Sequence, residues 1–418
     1  MGMETQTKID LKKDIKYSFI TLWNLNDWGM YNRRNEAILW ELSRRDIVES
    51  VLHIEHISLK GLIYKIKQWL GSKDKTFRLI YWNHIKKGFS LKPVLIKNEK
   101  KYYIYSVVNC YSGNISIFKK LSDFIRALQY RAINKHFVHS KKKVVLIVYP
   151  PSSYLSYAIN AIKHDLLIAD FVDDVLERTD DLARKKEVKN NYKSILPKCK
   201  WIFSTSPDMD HKYRELAKQK IDFLPNGVDI NLYNVETEPD LISNKSKVVG
   251  YVGSLNRTID EDLLEYVMSA HPRVKFAIIG HAEGKKSKDI VNRLSENCHN
   301  FHFLGKRHFR ELPKYIKKCD VLINFKKNDY TTAGGDSQKI YEYLATGKPV
   351  VTTPVPPADR FADLMYVASN KYQFAEYLKK ALEEDNNIEL MKKRIKAASE
   401  NSWSKRVDVI LDKVSAIL

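Results

Sequence analysis

Two successive stretches of the chain alternate short apolar runs with amphipathic segments, and this alternation restricts the folds open to it. In the first half the apolar runs lie at residues 17–23, 50–54, 144–150, 166–172 and 201–206. In the second half they are VVGYVGS, VKFAIIG, NFHFLG, VLINF and PVVTT. Strands separated by helices of this length form parallel sheets covered by helices. The sequence therefore predicts two α/β domains.

The boundary between these domains is predicted at residues 230–246, INLYNVETEPDLISNKS, which lack apolar periodicity and are rich in polar residues. We expect a first domain over residues 1–228, a linker over 229–247 and a second domain over 248–400. Residues 401–418 carry apolar residues at helical spacing. They are expected to form a helix that crosses back to the first domain.

The positive charge of the chain is concentrated in one region. The formal net charge is +21, and residues 51–150 alone contribute +16, from 20 Lys and Arg against 4 Asp and Glu. A surface of this kind attracts an anionic partner, either a membrane or a nucleic acid. No recognised nucleic-acid-binding signature accompanies the charge, so we favour a membrane surface and no nucleic acid.

Two segments of this basic region have apolar residues at helical spacing, the first from Leu59 to Leu70 and the second from Ile117 to Ala132. A basic amphipathic helix with a Trp at its edge can lie in a membrane interface. For the first segment the predicted membrane-binding residues are Lys60, Lys65, Lys67 and Trp69. The alternative is a helix that packs on the core with a solvated basic face.

Several classes of protein are disfavoured by what the sequence lacks. No apolar run reaches the roughly 18 residues of a membrane-spanning helix, and the N-terminus is polar rather than signal-like. Four dispersed cysteines disfavour a disulfide framework or a zinc cluster. Walker, GxSxG and HExxH motifs are absent. We expect a cytoplasmic protein, peripheral on the inner face of the cell membrane.

Ligands of open parallel sheets bind beyond the carboxyl ends of the strands, so the loops that follow the predicted strands are candidate sites. After VVGYV, Gly253 permits close backbone approach, Ser254 can donate a hydrogen bond and Arg257 can neutralise a diphosphate. The alternative is an ordinary turn.

A second loop of the same half, Gly334-Gly335, leads into a helix with Asp336 or Ser337 as its cap, and free N–H groups at such an end favour an anion. Lys339 and Glu342 follow three residues apart, which suits a phosphate and a ribose. The alternative is a surface helix with a salt bridge.

Two loops of the first half also combine groups suited to sugar chemistry. Asp170, Asp173 and Asp174 end an apolar strand, and such carboxylates suit sugar hydroxyls, general-base catalysis, a metal or a helix cap. The loop after the first strand, NLNDWGMYNRRN, is the predicted acceptor-binding segment, with its stacking ring, cations and carboxylate at Asp27, Trp28, Arg33 and Arg34. It could equally be a polar loop packed over Trp28.

Several of these stretches resemble one family in order and spacing. FLPNGVD at 223–229, GYVGSLNRTIDEDLLEYVMSAHPRVKFAIIG from Gly250, NFHFLGKRHFRELPKYIKKCD from Asn300 and KIYEYLATGKPVV from Lys339 are similar to GT-B glycosyltransferases of family 4. The first half, with WNLNDWGMYNRRNEAILWELSRR and its strand-end aspartates, is similar to the bacterial teichuronic-acid type of these enzymes. The resemblance covers nearly the full length and is weakest over about 57–140.

The resemblance implies a GT-B fold, two Rossmann-like domains with parallel sheets that face each other across a cleft. It implies that Gly253, Ser254 and Arg257 contact the donor diphosphate and that Lys306 and Arg307 lie near the base. It also places Lys339 on the phosphate side and Glu342 on the donor ribose. The family commonly has a second Glu eight residues before the ribose Glu, where this chain has Gly334.

The function implied is sugar transfer from a nucleotide-diphosphate sugar, with a UDP-sugar favoured, to a lipid-linked or growing cell-surface polysaccharide. We expect no cofactor and no metal, because cations and a helix N-terminus can stabilise the leaving diphosphate. For an inverting enzyme, Asp173 or Asp174 is the predicted catalytic base. The alternatives are a nucleotide-sugar 2-epimerase of similar fold and a non-catalytic nucleic-acid-binding protein.

Overall fold

A computed structural model gives the architecture of most of the chain. It describes residues 15–23, 28–89, 94–95, 101–109, 116–138, 142–152, 154–234, 246–282, 284–329, 332, 334–384 and 387–418. The chain forms two compact units, the first of residues 1–224 and 407–418 and the second of residues 225–406.

The first unit is built on a largely parallel sheet. Among the described residues it has eight strands in the order β3-β4-β2-β1-β5-β6-β7-β8, of which only the β3–β4 pair is antiparallel. The strands are β1 Lys16–Trp23, β2 Val48–Ser58, β3 Val94–Leu95, β4 Tyr102–Asn109, β5 Lys142–Val148, β6 Leu166–Phe171, β7 Trp201–Ser204 and β8 Asp222–Phe223.

Helices cover this sheet because the central strands are apolar on both faces, as parallel strands between helical layers must be. In β5, for example, every residue from Val144 to Val148 is buried. The α-helices of the unit are Arg34–Ser43, Leu59–Gly71, Lys75–Phe89, Ser116–Phe137, Leu155–Ala161, Leu182–Ile195 and Asp208–Ala217.

The second unit repeats the plan with a fully parallel sheet. Its described strands follow the order β11-β10-β9-β12-β13-β14. They are β9 Val248–Val252, β10 Lys275–Ile279, β11 Phe301–Gly305, β12 Val321–Asn324, β13 Val350–Thr352 and β14 Tyr366–Val367. The helices are Glu261–Ala270, Lys285–Asn297, Leu312–Ile316, Gln338–Ala345, Lys371–Leu382 and Ile388–Glu400.

The final helix, Trp403–Ile417, carries the boundary between the two units. From Val407 onward it belongs to the first unit, where Asp408 pairs with Arg45 at 2.9 Å and Ser415 accepts a hydrogen bond from Tyr17. Val407, Ile410 and Val414 are buried, which accounts for the apolar spacing read from the sequence. The helix is therefore a packed element of the fold.

The two predicted α/β domains are confirmed, and most predicted strands are found within two residues of their expected ends. The strand expected at 50–54 is longer, Val48–Ser58. The strand Tyr102–Asn109 and the helix Lys75–Phe89 lie in the basic region and were not predicted.

Candidate functional site

The loops at the carboxyl edge of the second sheet pack backbone against backbone. The N–H of Gly253, directly after β9, donates to the carbonyl of Ile279 at the end of β10. A Cβ added to Gly280 would lie 1.9 Å from the carbonyl oxygen of Gly253, closer than any side chain allows. Only glycine fits at position 280, and the predicted role of Gly253 in a close backbone approach stays a prediction.

The side chain of Lys339 is the nearest functional group to Gly253. Its Nζ donates to the hydroxyl of Tyr251 at 3.1 Å and lies 4.4 Å from the centre of that ring. A Cβ on Gly253 would be 2.7 Å from the same Nζ. Burial lowers the pKa of Lys339 to about 8, and the nearby Glu342 carboxylate acts against this shift. The ammonium form is therefore present at neutral pH.

Glu342 lies one turn further along the same helix and accepts a hydrogen bond from Gln338 at 2.9 Å. Burial raises its pKa above the usual range, and the Gln338 amide and the Lys339 ammonium oppose the rise. A cation and a carboxylate are thus placed side by side on the first turns of the helix Gln338–Ala345.

The start of this helix has no side-chain cap. Ser337 occupies the cap position, but its hydroxyl makes no capping hydrogen bond and is buried without a partner among the described residues. The N–H groups of a first turn carry partial positive charge and suit an anion. The helix start is thus free of a side-chain cap among the described residues, and an anion bound there stays a prediction.

Asp336, by contrast, is occupied within the protein. Its carboxylate accepts from the backbone N–H of Asn226 at 2.6 Å, from the hydroxyl of Tyr341 and from the guanidinium of Arg360 at 2.6 Å. These bonds fix the PNG segment at 225–227 to the start of the helix. In the structure Asp336 acts as an anchor, and donor contact by this residue stays a prediction.

The remaining predicted donor residues follow the ends of β9 and β11. Ser254 donates weakly to the carbonyl of His281 at 3.4 Å, and Arg257 is exposed on the next turn. Lys306 is half-buried after β11. Arg307 donates to the hydroxyl of Tyr315 at 2.9 Å, which fixes its guanidinium. The Lys339 ammonium lies beside Gly253, while Arg257 follows β9 and Lys306 and Arg307 follow β11 at the same edge of the sheet.

The departure from the family pattern has a structural counterpart. Gly334 has a φ of +64°, a left-handed conformation that suits glycine and is costly for most side chains. Asp329, the acid before it, is exposed. The backbone therefore has a left-handed turn at Gly334, the position where the family commonly has a Glu eight residues before the ribose Glu.

In the first unit, the two predicted catalytic aspartates have different environments. Asp174 is fully buried and accepts from Tyr213 at 2.6 Å, from Lys212 at 3.2 Å and from the N–H of Glu177, so it stabilises the chain after β6. Asp173 is partly exposed, pairs with Arg178 at 2.8 Å and has a φ of +60°. Such backbone strain persists where the surroundings hold it and is frequent at functional sites. Of the two carboxylates, that of Asp173 reaches solvent, and a catalytic role for either aspartate stays a prediction.

The predicted acceptor loop is hydrogen-bonded through Trp28 to a buried polar cluster of Glu55, His84 and Lys87. The N–H of Trp28 donates to Glu55 at 2.8 Å, and His84 donates to the carbonyl of Trp28 at 2.9 Å. The Nζ of Lys87 lies 3.7 Å from the Glu55 carboxylate and 4.7 Å from the centre of the Trp28 ring. Burial acts to raise the pKa of Glu55, but Lys87, His84 and His53 together outweigh burial and hold that pKa well below its usual range.

The other predicted acceptor residues are divided. Asp27 lies outside the described residues. Arg33 is exposed and lies 5.0 Å from the centre of the Tyr31 ring. Arg34 is buried, pairs with Asp170 at 2.8 Å and donates to the carbonyl of Leu224, which ties its helix to β6 and to the end of the first unit. This arrangement gives Arg34 a structural role, and the acceptor contact predicted for it from the sequence stays a prediction.

The predicted membrane-binding residues do not share one exposed face. Lys65 is buried with its ammonium 5.5 Å from the centre of the Tyr81 ring, and Trp69 is half-buried. Lys67 is exposed, and the side chain of Lys60 lies outside the described part of the structure. The helix Lys75–Phe89, which the sequence reading missed, packs against this segment and turns Lys65 inward.

Sequence reasoning also missed Tyr251, Glu55, His84 and Lys87. The sequence did contain a signal for Glu55: His53 and Glu55 are two residues apart in an apolar strand, so both polar side chains lie on the same face of it. Tyr251 lies in an apolar run, where a tyrosine is usually a core residue. Across the described residues, no three His, Cys, Asp or Glu side chains converge as metal ligands. No described helix is long and apolar enough to cross a bilayer.

The two parallel-sheet α/β units assign the chain to the GT-B fold class. A sucrose-phosphate synthase from Thermosynechococcus elongatus has the same fold with a TM-score of 0.68 at 12% identity, over 96% of this chain and 99% of that one. The Anabaena HepE structure in complex with UDP-glucose matches with a TM-score of 0.62 at 15% identity, over 96% and 99% of the two chains. A trehalose-6-phosphate structure from E. coli bound with UDP-2-fluoro glucose matches with a TM-score of 0.64 at 9% identity, over 96% and 99%.

Within this class, residues 246–384 match the family model described as Glycosyl transferases group 1, in the second unit. A protein provisionally assigned as a teichuronic acid biosynthesis glycosyltransferase, TuaH of Bacillus subtilis (strain 168), is 25% identical over 190 residues. That match spans 42% of this chain and 46% of the relative, so this chain matches less than half of the relative's length. The resemblance to group 1 GT-B glycosyltransferases read from the sequence is confirmed.

Proposed function

We propose that this protein is a glycosyltransferase that takes its sugar from a nucleotide-diphosphate sugar bound at the edge of the second sheet. The observation that carries the proposal is the placement of the Lys339 ammonium against Gly253, at the uncapped start of the helix Gln338–Ala345. A cation, backbone room and helix N–H groups at one point suit a diphosphate.

The donor in this proposal is a UDP-sugar, with its ribose hydroxyls on Glu342. Two supports are independent of each other. The HepE and E. coli relatives hold UDP-glucose and UDP-2-fluoro glucose. In this chain Glu342 is a half-buried carboxylate one turn from Lys339, and a carboxylate accepts hydrogen bonds from vicinal hydroxyls.

In the reaction, the bond between the anomeric carbon and the β-phosphate oxygen breaks, and the nucleoside diphosphate leaves with the electron pair. The acceptor hydroxyl oxygen bonds the anomeric carbon and gives up its proton. Lys339, Arg257 and the helix start stabilise the charge that develops on the leaving diphosphate, which requires no metal. For an inverting course, Asp173 takes the acceptor proton, because it is the more exposed of the paired aspartates.

The proposed acceptor is a lipid-linked or growing surface polysaccharide at the cytoplasmic face of the membrane. Its supports are the TuaH relative, assigned to teichuronic acid biosynthesis, and the concentration of positive charge in the first unit. The acceptor would meet Trp28 and Arg33, the described acceptor-loop side chains that reach solvent.

The direct test is to incubate the protein with a panel of nucleotide sugars and an extract of lipid-linked glycans, and to measure nucleoside diphosphate release. We expect release from a UDP-sugar and a loss of at least a hundredfold in Lys339→Ala. The matched control, Lys285→Ala, changes an exposed lysine of the same unit and should keep full activity. If the protein instead converts the free nucleotide sugar to its epimer without an acceptor, the proposal is wrong and the protein is a 2-epimerase.

A further inference from the structure

Two neighbouring helices of the first unit, Leu59–Gly71 and Lys75–Phe89, have apolar residues on two faces instead of one. The inner face packs normally: Leu62 contacts Ile57 and Ile85 in one buried cluster. In a second cluster Met30 packs against residues 77, 80 and 81 of the second helix. The inner contacts therefore account for the helical stripe but not for the apolar residues outside it.

Those outer residues are large and exposed. Ile63 is 55% exposed, Leu70 66%, Leu79 60% and Trp82 37%. Exposing four such side chains on two adjacent helices is unfavourable in water relative to burying them. Exposed apolar side chains that cluster in this way mark an interaction site.

The outer residues lie on two helices that pack against each other, and we call this surface the outer face of the 59–89 helix pair. The rings of Trp69 and Trp82 stack across the pair, with their centres 5.1 Å apart. The Arg78 guanidinium lies 5.4 Å from the Trp69 ring, and the Lys86 ammonium lies 5.2 Å from the Trp82 ring. The apolar residues are thus interleaved with cations that the indole rings hold in place.

The charge of this segment is one-sided. Residues 59–89 contain eight Lys and Arg and one acid, Asp74. Lys65 and Lys87 are buried, whereas the exposed cations among the described side chains are Lys67, Lys73, Lys75, Arg78 and Lys86. Because Asp74 accepts hydrogen bonds from the N–H groups of Thr76 and Phe77 at the start of the second helix, it serves as a cap. The outer face therefore complements an anionic partner that also accepts apolar side chains.

We infer that the outer face of the 59–89 helix pair docks on an anionic lipid bilayer, with Ile63, Leu70, Leu79 and Trp82 inserted at the headgroup–acyl boundary. Apolar side chains enter that boundary while the exposed lysines and Arg78 of the helix pair meet the anionic headgroups. Trp82 suits this depth, because an indole ring is apolar with one polar N–H. The inference rests on the proposed function, since a lipid-linked acceptor is what brings the enzyme to a bilayer.

A bilayer fits this surface better than a nucleic acid does. Nucleic-acid readers offer aromatic faces on which bases stack. Here the two tryptophan rings stack on each other, and each has a cation near its ring. The exposed aliphatic residues have no group that can hydrogen-bond to a base.

Vesicle co-sedimentation tests the inference with the full chain. We expect the wild-type protein to bind vesicles of phosphatidylcholine with 30% phosphatidylglycerol, and binding to weaken at least tenfold in pure phosphatidylcholine or in 0.5 M salt. Leu70→Ser/Leu79→Ser should bind the anionic vesicles at least tenfold more weakly. The control Leu182→Ser alters an even more exposed leucine of the same unit and should bind as the wild type does.

Any of three results would overturn the inference: no binding by the wild-type protein, equal binding by the double variant and the control, or binding indifferent to phosphatidylglycerol. Tighter binding to a single-stranded oligonucleotide than to anionic vesicles, unaffected by Leu70→Ser/Leu79→Ser, would assign the surface to nucleic acid instead. UDP affinity measured on the same preparations separates this result from the proposed function. The double variant should retain its affinity for UDP, whereas Lys339→Ala should lose its affinity for UDP but still bind vesicles.

Discussion

The Nζ of Lys339 donates a hydrogen bond to the hydroxyl of Tyr251 at 3.1 Å, although the two residues are 88 positions apart in the chain. This contact places the lysine over the Tyr251 ring and against Gly253, at the carboxyl edge of β9. Lys339 is half-buried, and the carboxylate that favours its charged form is Glu342, one turn further along the same helix. We interpret Lys339 as a preformed contact for a phosphate that arrives with the donor.

The pH dependence of donor binding should report on Lys339. Its pKa is lowered to about 8 in the folded protein, so the ammonium is lost as the pH rises through that value. We expect the affinity for UDP to be constant between about pH 6.5 and 7.5 and to fall by up to about tenfold per pH unit above 8. Titration calorimetry between pH 6.5 and 9.5 measures this. Lys339→Arg keeps its charge throughout and should abolish the alkaline fall, so a wild-type fall that persists in this variant would exclude Lys339 as its source.

Glu342 should contribute to binding of the nucleoside but not of the phosphates. Loss of a charged hydrogen bond to ribose hydroxyls costs about 1.5–3 kcal/mol, so Glu342→Ala should weaken UDP binding roughly tenfold to 150-fold. Inorganic pyrophosphate, which has no ribose, should bind both proteins equally. The exposed Glu389 offers a matched control in the same unit, and Glu389→Ala should leave both ligands unaffected. Equal losses for UDP and pyrophosphate would show that Glu342 does not read the ribose.

Gly280 should be intolerant of any side chain. A Cβ there would lie 1.9 Å from the Gly253 carbonyl oxygen and 2.6 Å from its carbonyl carbon, both backbone atoms that cannot turn away. We expect Gly280→Ala to destabilise the second unit by about 2–4 kcal/mol, measured by urea unfolding. Gly71→Ala, where no atom lies within 4 Å of the added methyl, is the control and should be near neutral. Full stability of Gly280→Ala would mean that the two loops are not packed as described.

The first unit should lose stability in mild acid because it buries neutral histidines. Burial lowers the pKa of His56 and of His84 to about 3. In the unfolded chain these groups take up protons below about pH 6.5, so the unfolded state binds more protons and stability falls as the pH is lowered from 6.5 towards 3. The expected slope is about 1.4 kcal/mol per pH unit for each histidine. Thermal unfolding between pH 7.5 and 4.5 measures it, and His84→Asn should have a shallower slope than the wild type. Identical slopes would contradict this assignment.

The buried polar cluster of Glu55, His84 and Lys87 should position the predicted acceptor loop. Glu55→Gln keeps the shape of the side chain but removes the charge that holds Lys87, and it weakens the bond to the Trp28 N–H. We expect a higher KM for the acceptor with the KM for the donor unchanged, since the donor residues lie in the second unit. Asp74→Asn, at an exposed helix start nearby, is the control for charge alone. A purely structural role would lower stability and leave the ratio of the two KM values unchanged.

The sequence predicts the strands well because a parallel strand between two helical layers must be apolar on both faces, as residues 144–148 are. It predicts the helix Lys75–Phe89 poorly because two of its buried positions hold His84 and Lys87. Their burial depends on Glu55, which lies on β2, and no local pattern reveals such a partner. The stripe from Leu59 to Leu70 misleads for the opposite reason, since Ile63 and Leu70 are exposed.

Some residues of the candidate sites were predictable from local sequence, and others were not. Gly253, Lys339 and Glu342 were predicted because a strand end and a helix start are local features, and family resemblance fixed their order. The roles of Arg34 and Asp174 were not predictable, because each is set by distant partners. Arg34 pairs with Asp170, 136 positions away, and Asp174 is bonded to Tyr213, 39 positions away. Which of several strand-end carboxylates is buried and bonded is decided by tertiary packing.

The central claim is that the donor diphosphate binds at the start of the helix Gln338–Ala345, against Lys339. A crystal structure of the protein with UDP tests it most directly. We predict a β-phosphate oxygen within about 3 Å of the Lys339 Nζ and the ribose hydroxyls on the Glu342 carboxylate. A UDP molecule bound elsewhere, or bound with Lys339 still on Tyr251 and turned from the phosphates, would contradict the account.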